Sequence, residues 1–284
     1  MASGRKPWMR CPYVDQRGEL MELGLTGKVA LVTVGSVGIG QATALALSQE
    51  GAQVAICARG QEQLEQTARE IEAKTGNTVL AVVADMTQLA DIERLVSTTV
   101  DTFGGIDILV NNAVNSVPGR FMELPDEAWV NHITVKVLGY VRCAREVIPH
   151  MQRRGGGRII NIGGMAARQV GHLTNTNGVT NASVANITKN LSDQVAEDHI
   201  LVNCIHPGAT RTPRQTRILE RRAQDMGASV EVAEQATVTS IPIGRMIESE
   251  DIAALILFLV STHASAITGQ VIAVDGGAGR GMTY

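Results

Sequence analysis

From residue 28 onward the chain alternates short apolar runs with longer stretches in which apolar residues recur at helical spacing. KVALVTV (28–34), AQVAICA (52–58) and TVLAVVAD (78–85) are almost wholly apolar and rich in β-branched residues, the pattern of strands covered on both faces. Between and after them lie GQATALALSQEG, GQEQLEQTAREIEAKTG and TQLADIERLVSTTVDTFG, each a helical pattern ending in glycine. Strand and helix in strict alternation imply parallel strands joined by crossover helices. IDILVNN (106–112), GRIINIGG (157–164), LVNCIHPG (201–208) and GQVIAVDGG (269–277) supply four further strands, which brings the expected sheet to seven. The run LTNTNGVTNASVANITK (173–189) reads as a loop opening into a long helix. IAALILFLV (252–260) is half the length needed to cross a bilayer and reads as a buried helix.

Two segments depart from this rhythm. Residues 211–240 are polar and helix-like and are expected to form a helical lid carrying Arg211, Arg214, Arg217, Arg221 and Arg222. That cluster suits either an anionic small-molecule ligand, such as a phosphate or an acyl-CoA, or simply a solvated helix face. Residues 1–22 mix charges with isolated apolar residues and read as a loose N-terminal extension rather than a leader peptide, with residues 23–284 forming one domain. The chain has 284 residues, a formal net charge of -3 and a pI near 6.1, so nothing favours nucleic acid or a membrane surface as partner. Cys11, Cys57, Cys143 and Cys204 are too widely spaced for a zinc site and fit reduced thiols of a cytoplasmic protein; no metal is expected.

The first strand runs into TVGSVGIG, Thr33 to Gly40, and then into a helix. Glycines at such a turn let the backbone approach a pyrophosphate, which the free amides of the helix N-terminus then stabilise. With this turn in place the chain resembles the short-chain dehydrogenase/reductase family, over roughly residues 23–280. The resemblance implies a Rossmann-type doubly wound α/β fold in three α/β/α layers. It also implies cofactor contacts from Thr33, Gly35, Ser36, Gly38, Ile39 and Gly40, from Asp85 and Met86, from Asn112 and Ala113, and from Pro207, Gly208 and Thr212. The second strand ends in Ala58 and Arg59 where an acidic residue would repel a 2′-phosphate, so NADP(H) is expected over NAD(H). Val34 and Val114 stand where the family has glycine. A positive φ at residue 34 would strain a β-branched side chain and weaken or abolish binding, unless Gly35 lets the turn re-form one residue later.

The family's reaction uses a tyrosine that exchanges a proton with the substrate oxygen, a lysine four residues later, a serine and an asparagine. The resemblance assigns these positions to Asn177, Asn181, Gly164 and Lys136, so all four are replaced. The only tyrosines are Tyr13, Tyr140 and Tyr284, none within a small register slip of residue 177. An asparagine amide can donate a hydrogen bond but has no pKa near neutrality with which to protonate an oxygen. The exchange of asparagine and lysine between positions 136 and 181 keeps one ammonium in the same neighbourhood. Lys136 then either supports the nucleotide or, if its pKa is lowered by burial, acts as a base or Schiff-base former. His172, Asn175 and His206 shape the surrounding loops or face the same pocket.

Three functions fit this reading. The first is a catalytically silent subunit or regulator, in a homo- or hetero-oligomer with an active relative, assembled through the long helices near 125–152 and 175–198. The second is a divergent enzyme, drawing its proton from water or substrate or using Lys136 for non-redox chemistry. The third, ordinary carbonyl or alcohol oxidoreduction, rests on the resemblance of fold alone, which does not license function.

Overall fold

A computed structural model describes residues 22–171 and 173–280. The expected extension thus lies almost entirely outside the described residues, as do Cys11, Tyr13, His172 and Tyr284. Seven strands form one sheet: β1 (Val29–Thr33), β2 (Gln53–Ala58), β3 (Val79–Val83), β4 (Ile108–Asn111), β5 (Gly157–Ile162), β6 (Ile200–Pro207) and β7 (Val271–Val274). All pairs are parallel, in the order β3-β2-β1-β4-β5-β6-β7. The order reverses direction at β1, whose neighbours are β2 and β4, so a crevice opens beyond the carboxyl ends of these strands.

Successive strand residues point to opposite faces, and this alternation sorts the apolar runs into two cores. Val29 and Leu31 of β1, Cys57 of β2 and Leu109 of β4 pack with α3 (Leu89–Phe103), α5 (Gly139–Arg153) and α6 (Asn175–Val195). Ala30, Val32, Ile56 and Val110 pack on the other face with α1 (Gly38–Gln49), α2 (Gln61–Thr75) and α9 (Ser249–Val260). Each fully buried Leu or Ile contributes roughly 1.5–3 kcal/mol, so a sheet needs both helical layers before its continuous apolar strands are stable. The run 252–260 is the body of α9, buried as its composition requires.

After β4, residues 126–153 form one long helical rod with an irregular middle. Helix α4 (Asp126–His132) passes through a π-helical turn, Ile133–Leu138, before continuing as α5. That turn carries Lys136 and turns it inward. Residues 211–240 fold as two helices, α7 (Pro213–Met226) and α8 (Val230–Thr239), around a small separate core of Leu219, Ala223, Ala233, Ile241 and Met246.

At the amino end of the sheet, buried Asp107 accepts from the Val29 amide at 2.9 Å and from Arg154 Nε at 2.9 Å, with Lys28 Nζ 3.5 Å away. One carboxylate thus ties β1, the start of β4 and the end of α5. Its removal leaves a buried N–H and a half-buried guanidinium unpaired, and Asp107→Ala is expected to cost about 2–4 kcal/mol in a urea unfolding titration.

Candidate functional site

The glycine turn at the end of β1 is held from several sides. Thr33 Oγ1 accepts from the Asn112 amide at 2.9 Å, Asn112 Nδ2 donates to Val34 O at 3.1 Å, and Gly35 N donates to Cys57 O at 3.0 Å. Val34 has φ 51, so the turn keeps the family's register and does not re-form around Gly35. A β-branched residue in this region carries strain of about 1–3 kcal/mol, which the clamps from Asn112 and Cys57 sustain. Gly35 itself has ordinary φ; it is required because a Cβ would lie 2.7 Å from Ile56 Cβ. Gly38, at φ +56, opens α1 and packs against Thr212, where a Cβ would meet Thr212 Cγ2 at 2.9 Å. A Cβ on Gly40 would meet Asn112 Nδ2 at 2.7 Å.

These restraints leave a cradle. Helix α1 begins after Val37 with no side-chain cap, so its first amides remain open to an acceptor. Ser36 is buried, its carbonyl accepting from Thr67 Oγ1 at 2.9 Å, and Ile39 O accepts from Thr43 Oγ1 at 2.7 Å. Arg59 follows β2, is exposed and has no partner among the described residues. Asp85 Oδ1 accepts from the Thr87 amide at 2.8 Å, while the Met86 side chain is buried beside Cys143, its Sδ 4.0 Å from the thiol sulfur. Pro207 ends β6, Gly208 is pinned against Asp275, and Thr212 caps α7 by accepting from Gln215 N at 3.2 Å. Residues expected from sequence to contact a nucleotide are thus brought along one edge of the sheet, from β3 to β6. An unpaired guanidinium and an uncapped helix start fit the negative charges of a phosphorylated dinucleotide.

The four positions expected to hold reactive groups also converge. Lys136 is 3 % exposed and its Nζ donates to Gly163 O at 3.0 Å. Burial, and secondarily the Arg214 cation, pull its pKa to about 7. Asn181 is buried, and its Oδ1 has no partner among the described residues. A Cβ on Gly164 would stand 2.6 Å from Asn181 Nδ2, so the asparagine amide occupies the space a serine side chain needs. Asn177, half-buried in the first turn of α6, faces Arg214 NH2 at 3.5 Å.

Tyr140, the one tyrosine among the described residues, does not reach this position. It is buried in α5, and its hydroxyl lies 3.0 Å from both Ala113 O and Ile162 O, just beyond β4 and at the end of β5. Burial raises its pKa well above the ordinary value, so the phenol is a fixed neutral donor within the core.

Several residues near this centre carry no sequence signal of their role. His132 joins α4 to α6, with Nδ1 3.0 Å from Thr176 Oγ1 and Nε2 3.4 Å from Thr180 Oγ1. His206 is completely buried against Gly163, where a Cβ would lie 2.5 Å from its Cδ2, and neither ring nitrogen has a partner among the described residues. Burial first, then nearby cations, pull both histidines to about 4, so both are neutral at pH 7. Asn175 is turned to Gly119, its Nδ2 donating to the carbonyl at 3.0 Å. Arg214 projects from α7 to the same place and donates to Ser116 Oγ at 2.5 Å. Of the other arginines on this stretch, Arg211 pairs with Glu234 and Glu248 and Arg222 donates to Thr237. Cys57, Cys143 and Cys204 are free and buried. Among the described residues no group of His, Cys, Asp or Glu could hold a metal ion, and no helix is long and apolar enough to cross a membrane.

Comparison with known proteins places these features in context. A family model described as enoyl-(acyl carrier protein) reductase matches residues 34–279. "Dehydrogenase/reductase SDR family member 4" of Oryctolagus cuniculus is 34% identical over 255 residues, covering 89% of this chain and 94% of that protein. A "putative ketoacyl reductase" of Streptomyces coelicolor is 33% identical over 255 residues, covering 89% of this chain and 97% of its own. The crystal structure of L-sorbose reductase from Gluconobacter frateurii, complexed with NADPH and L-sorbose, superposes with a TM-score of 0.89 at 35% identity, covering 92% of this chain and 100% of that one.

Two tests probe this geometry. Gly164→Ser is expected to destabilise the chain by about 1–3 kcal/mol through overpacking, and by about 1 kcal/mol less when Asn181→Ala has first emptied the space, as a double-mutant cycle of unfolding free energies reads out. Lys136 keeps its proton up to about pH 10.5 when unfolded but only to about 7 when folded. The unfolded chain binds the extra proton between these values, so this group's contribution to stability rises with pH across that window. Lys136→Met should therefore be more stabilising relative to wild type at about pH 6 than at about pH 9 in thermal unfolding.

Proposed function

This chain belongs to the short-chain dehydrogenase/reductase family, and from that premise we propose that it binds NADP(H) but does not carry out the family's tyrosine-dependent carbonyl reduction. It serves instead as a silent subunit or regulator in an oligomer with an active relative. One observation carries this reading: the position expected to hold the proton-donating tyrosine is Asn177, and the one phenol among the described residues is committed to Ala113 O and Ile162 O. Hydride transfer to a carbonyl develops negative charge on oxygen, which must be stabilised and then protonated; loss of one such group typically costs on the order of 10² in rate or more.

The nucleotide part of the reading is supported by the cradle from Thr33 to Gly40, by Arg59 placed to meet a 2′-phosphate, and by relatives solved with NADPH. Bound there, NADPH supplies a hydride donor. The residues of this chain hold its pyrophosphate at the α1 amides and its adenosine end between Arg59 and Asp85. Lys136, turned to Gly163 O, supports the floor beneath it.

A second reading is favoured by the state of Lys136. An amine with a pKa near 7 is partly neutral at physiological pH and is a competent base, so the cleft can host chemistry without a phenol. Reduction in which water or the substrate supplies the proton belongs to the same alternative. The two readings part on turnover: the silent subunit copurifies with a tyrosine-bearing partner and is inert alone, whereas the divergent enzyme turns over as a homo-oligomer and loses activity in Lys136→Ala.

The direct test is calorimetric titration with NADPH and NADH. NADPH is expected to bind about tenfold or more tightly than NADH, and Arg59→Asp to erase or reverse that preference. Equal affinity for the two nucleotides, unchanged by the substitution, would remove Arg59 from the site. Rapid NADPH oxidation with simple ketones by the isolated chain would overturn the silent assignment.

A further inference from the structure

We propose that the cleft beside Asn177 is a carboxylate-binding site and that Arg214 selects a small organic monoanion as its ligand. This rests on the reading that a nicotinamide nucleotide occupies the adjoining cradle. Arg214 differs from the arginines of this chain that are paired with carboxylates. Arg211 meets Glu234 and Glu248, Arg245 meets Asp251, and Arg154 meets Asp107. Arg214 has only two neutral acceptors, Ser116 Oγ at 2.5 Å and Asn177 Oδ1 at 3.5 Å, and no carboxylate among the described residues.

The consequence for hydrogen bonding is specific. Arg214 engages Ser116 and Asn177 by their oxygens, which leaves the Ser116 O–H and the Asn177 amide N–H groups as donors. A guanidinium has five N–H donors, so those not used on Ser116 and Asn177 remain open to a planar, two-oxygen acceptor. With their oxygens turned to Arg214, the Ser116 hydroxyl and the Asn177 amide present their O–H and N–H groups beside the guanidinium.

The charge balance points the same way. The basic groups that act on Lys136, His132 and His206 are Arg214, Arg168 and the partly protonated Lys136, and burial keeps both histidines neutral. The Cys204 thiol, its pKa pushed up to about 12 by burial, adds no negative charge at pH 7. Lys136 is occupied with Gly163 O and is almost wholly buried, and Arg168 donates to Val271 O, whereas Arg214 is the cation that faces Asn177. A single guanidinium set among the neutral donors of Ser116 and Asn177 suits a monoanion. A cavity of about 780 Å³ lined by Arg120, Phe121, Val170, Gly171, Leu173 and Asn175 lies on the neighbouring loop.

The probe pair is 4-phenyl-2-oxobutanoate and its methyl ester, titrated calorimetrically into wild type, Arg214→Met and Arg214→Lys, each with and without NADPH. Wild type is expected to bind the acid about tenfold more tightly than the ester. Arg214→Met should remove that preference while leaving NADPH affinity within about twofold, and Arg214→Lys should retain part of it. Equal binding of acid and ester by wild type, no binding of the acid, or an Arg214→Met chain that keeps its preference each overturns the proposal. A substitution that weakens NADPH and spares the acid assigns Arg214 to the nucleotide and overturns it as well. Failure of NADPH to bind at all sinks the nucleotide reading instead, because the acid-over-ester preference is scored separately in the nucleotide-free chain.

Discussion

The arrangement of the site depends on how the carboxyl ends of β4 and β5 are fastened to the helices behind them. Asn111 Nδ2 donates to Asn161 Oδ1 at 2.9 Å, and Asn161 Nδ2 donates to Thr188 Oγ1 at 3.0 Å, linking two neighbouring strands to α6. Thr188 Oγ1 in turn donates to Val184 O at 2.8 Å within that helix. The Tyr140 hydroxyl adds a second tie, between Ala113 and Ile162. Such bonds are worth more in a dry interior than at a surface, and an incomplete network there is correspondingly costly. They fix where β5 releases the chain into Gly163 and Gly164, and so where Lys136, Asn181 and His206 can stand.

Much of this frame is legible in the sequence because it follows from continuous apolar runs. Strands such as VALVT and QVAICA must be covered on both faces, and glycine-terminated helical patterns between them leave little choice but a doubly wound sheet. The glycine turn is legible for the same kind of reason: Gly38 and Gly40 sit where a side chain would collide. The positive φ at Val34 is different. Sequence raises it as a strain problem with two solutions, and the choice lies in the Asn112 clamp, which comes from a distant strand.

The reaction centre was legible by position and not by packing. The family resemblance points to Lys136, Gly164, Asn177 and Asn181, but no local signal says that Asn181 fills the space at Gly164 or that His206 fits against Gly163. These are contacts between strand ends and helices far apart in the chain. The π-helical turn at Ile133–Leu138 is equally invisible to periodicity, since it adds a residue to a turn without changing residue types. Arg214 is one of five similar arginines in the sequence; only the fold separates the one aimed at Asn177 from Arg211, paired with Glu234 and Glu248, and from Arg222, bonded to Thr237.

The fit of Asn181 against Gly164 couples substitutions at the two positions. A serine arriving first at residue 164 meets an occupied space, and a lysine arriving first at residue 181 brings a second ammonium toward the one Lys136 already buries. Changes here are therefore ordered: residue 181 must vacate before a serine fits at 164, and residue 136 must lose its charge before a lysine is readily buried at 181. The floor of the cleft thus answers to concerted changes at 136, 164 and 181 and resists single ones.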